Sequence, residues 1–284
     1  MYRILNKRKL APEVHEYVIE APEIARAARP GQFVVLRLHE RGERIPLTIA
    51  DADPETGGVT IVVQEVGKTT REMGDKFGKG DCILDFVGPL GKPSEIENFG
   101  TVICIGGGLG IAPVYPITRA LKDAGNTVLG IIGARTEDLL FYIDKMEKVC
   151  DELIVTTDDG SAGRKGFTSD PLTEILAAGR KVDRVVAIGP AVMMRACADA
   201  TRPFGVPTVV SLNSIMIDGT GMCGGCRVEV GGETKFACVD GPEFDGHKVN
   251  FDLLLSRQRF YVEEERCALE RYLKEQQGAV DGQA

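Results

Sequence analysis

Three cysteines near the end of the chain, Cys223, Cys226 and Cys238, have the spacing of metal ligands. Plant-type 2Fe-2S sites use C-x4-C-x2-C with a fourth cysteine further along the chain. In that register the first position holds Asp218, five residues before Cys223. Glycines between the ligands allow the backbone to curl closely around a cluster. The sequence therefore predicts a 2Fe-2S cluster bound by Asp218, Cys223, Cys226 and Cys238.

Other roles for this stretch stay open on the sequence alone. A zinc knuckle also uses C-x2-C but needs a second close Cys/His pair, and the only histidine further along is His247. Asp218 could instead cap a turn while Cys267 supplies a fourth thiolate. The remaining cysteines lie in apolar or helical stretches and are expected to be buried thiols: Cys82, Cys104, Cys150, Cys197 and Cys267.

Length and composition limit the classes of protein that fit. A chain of 284 residues has room for two domains and a small appendage. It has no run of eighteen apolar residues, so a membrane is not expected as a partner. The first nine residues lack the apolar core of a signal peptide, which favours the cytoplasm, and there thiols stay reduced. The net charge of −8 argues against nucleic acid.

The region of residues 1–97 has the pattern of a small antiparallel β barrel. Short runs with β-branched residues are separated by turn signals such as Pro30-Gly31 and Gly57-Gly58. The predicted strands cover residues 14–20, 32–38, 59–64 and 82–87.

Two motifs in this barrel have residue types that bind anions. The first places a cation and a hydroxyl around a proline that stiffens a turn, in Arg44, Pro46, Leu47 and Thr48. The second places amides and hydroxyls at the start of a short helix, in Gly67, Lys68, Thr69 and Thr70. On the sequence alone, a surface arginine and a threonine cap are the commoner explanations.

From residue 98 to residue 212 the pattern changes to α/β. A short buried strand at residues 102–105 runs into a glycine-rich turn and then a helix with Pro113 in its first turn. The turn differs from the strict G-x-G-x-x-G fingerprint. The next strand, residues 127–132, ends in Gly133-Ala134-Arg135 and lacks the acidic residue that binds the ribose. A turn that binds no nucleotide therefore stays open. Sharp turns at two later strand ends contain Asp158 and Asp159, and Gly189, Pro190 and Met193.

The sequence thus predicts a β barrel, a parallel-sheet α/β domain and a small cluster segment. Their expected ranges are residues 1–97, 98–212 and 213–284, and the last segment is predicted to end in a helix over residues 251–274.

This order of segments resembles the ferredoxin–NADP reductase superfamily. Within it, the chain is similar to electron-transfer subunits of dihydroorotate dehydrogenase and, more closely, to the small subunits of NADH-dependent reduced ferredoxin:NADP oxidoreductase, also called sulfide dehydrogenase. The resemblance covers nearly the whole chain, and Asp218 in place of a cysteine favours the second group. Its most specific stretches are residues 44–48, 106–113, 157–161, 218–227 and 236–244.

The resemblance implies FAD in the barrel and a nicotinamide nucleotide in the α/β domain. The flavin and its phosphates would contact Arg44, Pro46, Leu47 and Thr48, with Gly67, Lys68, Thr69 and Thr70 on the pyrophosphate. The nicotinamide nucleotide would contact Gly107, Gly108, Gly110, Asp158, Asp159, Gly189, Pro190 and Met193.

The expected function is that of an electron-transfer flavoprotein subunit. NADH gives two electrons as hydride, a 2Fe-2S cluster takes one, and a flavin converts between them, so the expected order is NAD(H), FAD, cluster and then a larger flavin or iron–sulfur subunit. Hydride transfer to flavin needs no acid or base, so no catalytic residue is expected. Ferredoxin would be reached only indirectly, as in bifurcating relatives. The alternatives are the electron-transfer subunit of dihydroorotate dehydrogenase and a redox-sensing or zinc-binding module without turnover.

The sequence leaves the choice between NAD and NADP open. Arg135 could meet a 2′-phosphate, whereas Asp158 and Asp159 would repel one. The resemblance favours NAD.

Overall fold

The computed structural model describes residues 1–281. The first sheet is antiparallel and has the strand order β6-β1-β2-β5-β4-β3-β7. It curls into a near-closed barrel, as predicted. Its strands are β1 (Tyr2–Ala11), β2 (Val14–Glu20), β3 (Phe33–Arg37), β4 (Ile45–Asp53), β5 (Gly58–Gln64), β6 (Cys82–Ile83) and β7 (Asp85–Leu90).

The barrel core forms because alternate residues of neighbouring strands point inward. β2 and β5 pair without interruption from Val14 opposite Gln64 to Glu20 opposite Gly58. Tyr17 of β2 is fully buried in this core. Two helices accompany the barrel, α1 (Pro22–Ala27) and α2 (Lys68–Lys76). The Tyr17 hydroxyl donates to the Met73 carbonyl at 3.0 Å and so fixes α2 to the barrel.

The second sheet has the order β11-β10-β9-β8-β12-β13-β16 and is parallel except for β16. Its strands are β8 (Thr101–Gly107), β9 (Thr127–Ala134), β10 (Glu152–Thr157), β11 (Arg164–Lys165), β12 (Arg184–Ile188), β13 (Thr208–Ser211) and β16 (Glu243–Asp245). The helices are α3 (Ile111–Asp123), α4 (Ile143–Glu147), α5 (Ser169–Ala177) and α6 (Ala191–Thr201). Strands β8 and β9 are buried on both faces, which explains their unbroken apolar runs.

The last part of the chain is tied to both sheets. It contains a hairpin, β14 (Arg227–Val230) and β15 (Glu233–Phe236), and the helices α7 (Ala237–Asp240), α8 (Phe251–Gln258) and α9 (Val262–Asp281). β16 of this segment pairs with β13 and so extends the α/β sheet. The helix predicted over residues 251–274 is in fact two helices, because residues 259–261 between α8 and α9 form a turn. On α9, the Tyr272 hydroxyl donates to Asp75 at 3.2 Å, which connects this segment to the barrel helix α2.

The burial predicted for five cysteines outside the cluster motif is only partly correct. Cys104 and Cys197 are buried, and Cys150 is half-buried. Cys82 and Cys267 are exposed, because Cys82 lies in a two-residue strand at the sheet edge and Cys267 lies on the solvent side of α9. Within residues 1–281, none of the helices combines the length and the apolar character that a membrane crossing requires.

Candidate functional site

A cavity of about 970 Å³ lies where the barrel, the α/β sheet and the segment of residues 211–216 meet. A cavity of this size and mixed lining is typical of a cofactor site. Many of the residues predicted to contact cofactors line it, from both domains. They are Pro46, Leu47, Thr48, Gly107, Gly108, Gly110, Asp158, Gly189, Pro190 and Met193.

The glycine turn after β8 forms one wall of the cavity and leads into the N-terminus of α3. Gly110 packs so closely on β12 that a Cβ there would overlap the Ile188 carbonyl. Gly108 differs, because its φ is +55° and a Cβ there would meet nothing within 4 Å. The open side of the turn thus exposes backbone amides next to a helix N-terminus, where a pyrophosphate fits.

The carboxyl ends of β9 and β10 form the outer part of the cavity, with Arg135 and Asp158 on its wall. Asp159 is used by the turn itself, since its carboxylate accepts hydrogen bonds from the Ser161 amide at 2.9 Å and hydroxyl at 2.7 Å. These bonds lower the pKa of Asp159. The structure therefore separates two neighbouring aspartates that the sequence could not tell apart.

Thr168 also lines this part of the cavity, and the sequence interpretation missed it. It precedes α5, is 5% exposed, and its hydroxyl has no hydrogen-bond partner within the described part of the chain. Buried hydroxyls in native proteins are nearly always hydrogen-bonded, so this one is free to bond a group bound in the cavity. A nucleotide, which carries hydroxyl and phosphate oxygens, fits such a wall.

On the barrel side, the motif at residues 44–48 lies mostly on a strand, so the prediction of a proline-stiffened turn is wrong. Pro46 lies in β4 opposite Val35 of β3, whereas β4 pairs with β5 only from Ile49 onward. Proline is compatible with a strand that is paired on one side, because it has no N–H to donate. Leu47 and Thr48 continue this strand along the cavity wall.

The second barrel motif forms the start of α2, and its residues do not line the cavity. Gly67 is the N-cap residue, and the Thr70 hydroxyl accepts a hydrogen bond from the Gly67 amide at 3.0 Å. The Thr69 hydroxyl donates to the Glu43 carboxylate, which adjoins Arg44. The structure thus brings Glu43, the residue before the first motif, to the N-terminus of α2. A Cβ at Gly67 would meet nothing within 4 Å, so side-chain packing does not crowd the N-cap position.

The cluster loop brings two of its predicted ligands into contact. The sulfurs of Cys226 and Cys238 lie 3.2 Å apart, and both residues are 2% exposed. Burial first, and then the adjacent Cys226 thiol, raise the pKa of Cys238 to about 12. Without metal this thiol keeps its proton at neutral pH, and a bound metal must displace it.

The other two predicted ligands are more exposed and are joined through the backbone. Asp218 accepts hydrogen bonds from the Thr220 amide at 2.9 Å and the Cys223 amide at 2.7 Å, and these bonds lower its pKa. Across residues 1–281, no three metal-binding side chains stand together at coordinating distance. Three thiols and a carboxylate within one loop nevertheless provide the donor types that an iron–sulfur cluster takes.

The cluster loop packs directly on the barrel wall. Gly219 has a φ of +76°, and a Cβ there would lie 2.8 Å from Leu90 and 3.1 Å from Val35. Phe33, whose ring would lie 3.9 Å from that Cβ, also lines the cavity. Phe33 therefore lies both on the cavity wall and near the cluster loop.

Models of protein families match two parts of the chain. The oxidoreductase NAD-binding domain matches residues 104–199, and the iron–sulfur cluster binding domain of dihydroorotate dehydrogenase B matches residues 213–250.

Curated relatives and solved structures agree with these matches. A Thermotoga maritima protein described as a homolog of the dihydroorotate dehydrogenase B (NAD(+)) electron transfer subunit is 55% identical, over 95% of each chain. A probable subunit of the same kind from Methanocaldococcus jannaschii is 34% identical, covering 78% of this chain and 81% of its own. A structure of NADH-dependent reduced ferredoxin-NADP oxidoreductase superposes with a TM-score of 0.90 at 54% identity, covering 96% of this chain and 98% of its own. A cytochrome P450 reductase from Amycolatopsis shares the fold, with a TM-score of 0.61 at 23% identity over 71% of this chain and 65% of its own.

Fold and site together define an NAD-binding oxidoreductase subunit of the ferredoxin reductase type. Within that class, the chain belongs to the family of dihydroorotate dehydrogenase B electron-transfer subunits. The predicted superfamily and the predicted cofactor types, FAD, NAD(H) and an iron–sulfur cluster, are confirmed by this membership. The part that each single residue plays remains a prediction.

Proposed function

We propose that this chain passes electrons between NAD(H), FAD and a 2Fe-2S cluster, and exchanges them with a larger partner subunit. The observation that carries the proposal is the single cavity. It runs from the glycine turn of the α/β domain to β4 of the barrel, and Phe33 on its wall lies against the cluster loop. The proposed site of the two-electron donor, NADH, therefore lies on this cavity, and the proposed cluster, which accepts one electron, lies next to it.

The proposal assigns the three parts of the chain to three cofactors. Residues 1–97 bind FAD, residues 98–212 bind the nicotinamide nucleotide, and residues 213–284, of which the last three lie outside the described range, carry the cluster and the C-terminal helix. The FAD residues are Arg44, Pro46, Leu47, Thr48, Gly67, Lys68, Thr69 and Thr70. The nucleotide residues are Gly107, Gly108, Gly110, Asp158, Asp159, Gly189, Pro190 and Met193. The cluster ligands are Asp218, Cys223, Cys226 and Cys238.

In this proposal the protein acts by binding and orienting its cofactors. Bound together, they supply the exchange of hydride for single electrons. The glycine turn and the N-terminus of α3 hold phosphates by backbone amides. The apolar side chains of Leu47, Phe33 and Met193 exclude water from the space where rings meet. No side chain has to move a proton.

Two residues of the cavity wall bear on the choice between NAD and NADP. Asp158 lies on the wall at the end of β10, and a carboxylate near the adenosine ribose repels a 2′-phosphate. Arg135, directly after β9, lies on the same wall and would attract one. These two residues act in opposite directions, and NAD is proposed because the family resemblance favours it.

Apolar residues around the cluster loop support a protein partner there. Met222 is 88% exposed, and Ile217 and Val239 are also exposed. Exposed apolar side chains around a redox centre are typical of a docking surface. The larger subunit proposed here is a flavin or iron–sulfur oxidoreductase, through which ferredoxin would be reached, as in the bifurcating enzyme whose structure is 54% identical.

A second candidate is the electron-transfer subunit of a dihydroorotate dehydrogenase, which the descriptions of the relatives favour. Asp218 in a position where that group has cysteine supports the first candidate instead. Purification of the native complex separates the two, because the co-purifying subunit either oxidises dihydroorotate or does not.

The direct test is the cofactor content of the purified chain. We expect one FAD and two irons per chain, and reduction of artificial dyes by NADH. A folded protein that stays free of flavin when supplied with FAD contradicts the proposal. A colourless chain with one zinc supports the zinc-binding alternative.

A further inference from the structure

Three buried side-chain atoms lack a hydrogen-bond partner among the described residues: His15 Nδ1, Thr168 Oγ1 and Ser214 Oγ. Two of these residues, Thr168 and Ser214, line the cavity. A hydroxyl that is withdrawn from water without a partner is destabilising, so native structures rarely retain one without a use. Thr168 lies at the end where the nucleotide is expected, whereas Ser214 lies in a segment that has no assigned role.

The segment around Ser214 is held firmly on both sides. Before it, the Leu212 amide donates to the Pro242 carbonyl at 2.9 Å, and Gln258 of α8 donates to the carbonyl and the side chain of Asn213 at 3.1 Å and 2.8 Å. After it, Met216 is buried on the cavity wall. Ser214 itself is 8% exposed. Its position is therefore fixed by neighbours although its own hydroxyl is unused.

The segment that contains Ser214 runs from β13 of the α/β sheet to the barrel. Five residues later Gly219 packs on Val35 and Leu90 of the barrel. The barrel strands β3 and β4 line the same cavity through Phe33 and Thr48. A flavin bound by the barrel presents ring nitrogens and carbonyl oxygens, which are partners that a serine hydroxyl can use.

We propose that the Ser214 hydroxyl hydrogen-bonds the ring system of the bound flavin and positions it next to the segment that leads into the cluster loop. The inference rests on the proposed function, because it takes FAD as the occupant of the barrel side. Ser214 is then a flavin-binding residue that belongs to the C-terminal segment. The affinity for FAD therefore depends on that segment as well as on the barrel.

The test compares Ser214→Ala with the wild-type chain and with Ser256→Ala, an exposed serine of α8 that lies outside the cavity. FAD is removed, and the thermal melting of each FAD-free protein and its dissociation constant for FAD are measured. For Ser214→Ala we expect a dissociation constant about fivefold to tenfold higher, from the loss of one hydrogen bond. The visible flavin spectrum should shift as well.

The FAD-free Ser214→Ala protein should melt at or above the wild-type temperature, because the variant removes an unpaired buried hydroxyl. A purely structural role predicts the reverse, a lower melting temperature with FAD affinity unchanged. Ser256→Ala should match the wild type in both measurements.

The inference is overturned if Ser214→Ala binds FAD within about twofold of wild type with the same spectrum. It is also overturned if only the affinity of the FAD-loaded protein for NADH changes, since the hydroxyl then serves the nucleotide. Failure of the wild-type chain itself to bind FAD overturns the proposed function and this inference together, and so differs from a failure of Ser214 alone.

Discussion

The cofactor cavity and the cluster loop differ in how many parts of the fold shape them. The cavity is enclosed by strands and helices of two sheets, and its glycine turn is held by direct backbone packing on Ile188. In the cluster loop only Cys226 and Cys238 are in contact, while Cys223 is exposed and Asp218 accepts backbone hydrogen bonds. Packing between two sheets shapes the cavity, whereas the predicted cluster ligands lie on one loop and at the start of α7.

The largest effect is expected from Cys238→Ser, which removes a buried member of the contacting pair. Iron content should fall by at least about tenfold. Removing a residue that only hydrogen-bonds a metal ligand already lowers metal affinity by about that factor, and this change removes a ligand itself. FAD content and NADH affinity should stay unchanged, because the predicted cluster ligands do not line the cavity. Iron assay and flavin absorbance measure both. Loss of FAD together with iron would show that the two regions assemble as one.

Asp218 distinguishes a metal ligand from a turn residue. If its carboxylate ligates the cluster, Asp218→Ala should lose iron. Asp218→Cys should retain a 2Fe-2S cluster with an altered potential and spin-resonance signal, since thiolate is softer than carboxylate. An Asp218→Ala protein with full iron and an unaltered spectrum would place the ligand elsewhere and leave Asp218 the role of bonding Thr220 and Cys223.

A change at the glycine turn tests the preformed region. Gly108→Val places a branched side chain on the open face of the turn and should raise KM for NADH by about tenfold, equivalent to ~1.4 kcal/mol. FAD content should not change.

The matched control for that change is Gly179→Val after α5. Gly179 also has a positive φ, +75°, and a Cβ there would meet nothing within 4 Å. It carries similar backbone strain but lies outside the cavity lining, so its KM should equal that of wild type. If Gly108→Val loses flavin and keeps its NADH kinetics, the two cofactor sites are assigned the wrong way round.

The smallest effect is expected where the barrel docks on the α/β sheet. Tyr142 is buried and its hydroxyl donates to Glu16 of β2; burial first, and then this bond, raise the pKa of Tyr142, so it stays protonated. Tyr142→Phe should lower the free energy of unfolding by ~1 kcal/mol, measured by urea denaturation, with iron content unchanged. Tyr261→Phe, at an exposed tyrosine, should have no effect. Equal stability of the two variants would show that the Glu16 bond contributes nothing to docking.

Residues fixed by local pattern were predicted well. The strand before the glycine turn and the helix after it follow from short-range rules about apolar runs and glycine. Pro46 was misplaced because a proline inside a strand is recognisable only when the pairing on each side is known. Thr168 carried a signal, since a threonine ahead of Ser-Asp-Pro resembles a helix start, but nothing tied it to a cavity.

The sequence by itself determined the kinds of element, their order and the donor types of the cluster loop, because cysteine spacing and glycine turns act over a few residues. Only the tertiary structure decided which residues share a wall. It separated Asp158 from Asp159, joined Glu43 to the start of α2 through its contact with Thr69, and left Ser214 buried without a partner. These relations depend on how two sheets and a C-terminal segment pack together, and packing between distant parts of a chain leaves no periodic pattern in the sequence.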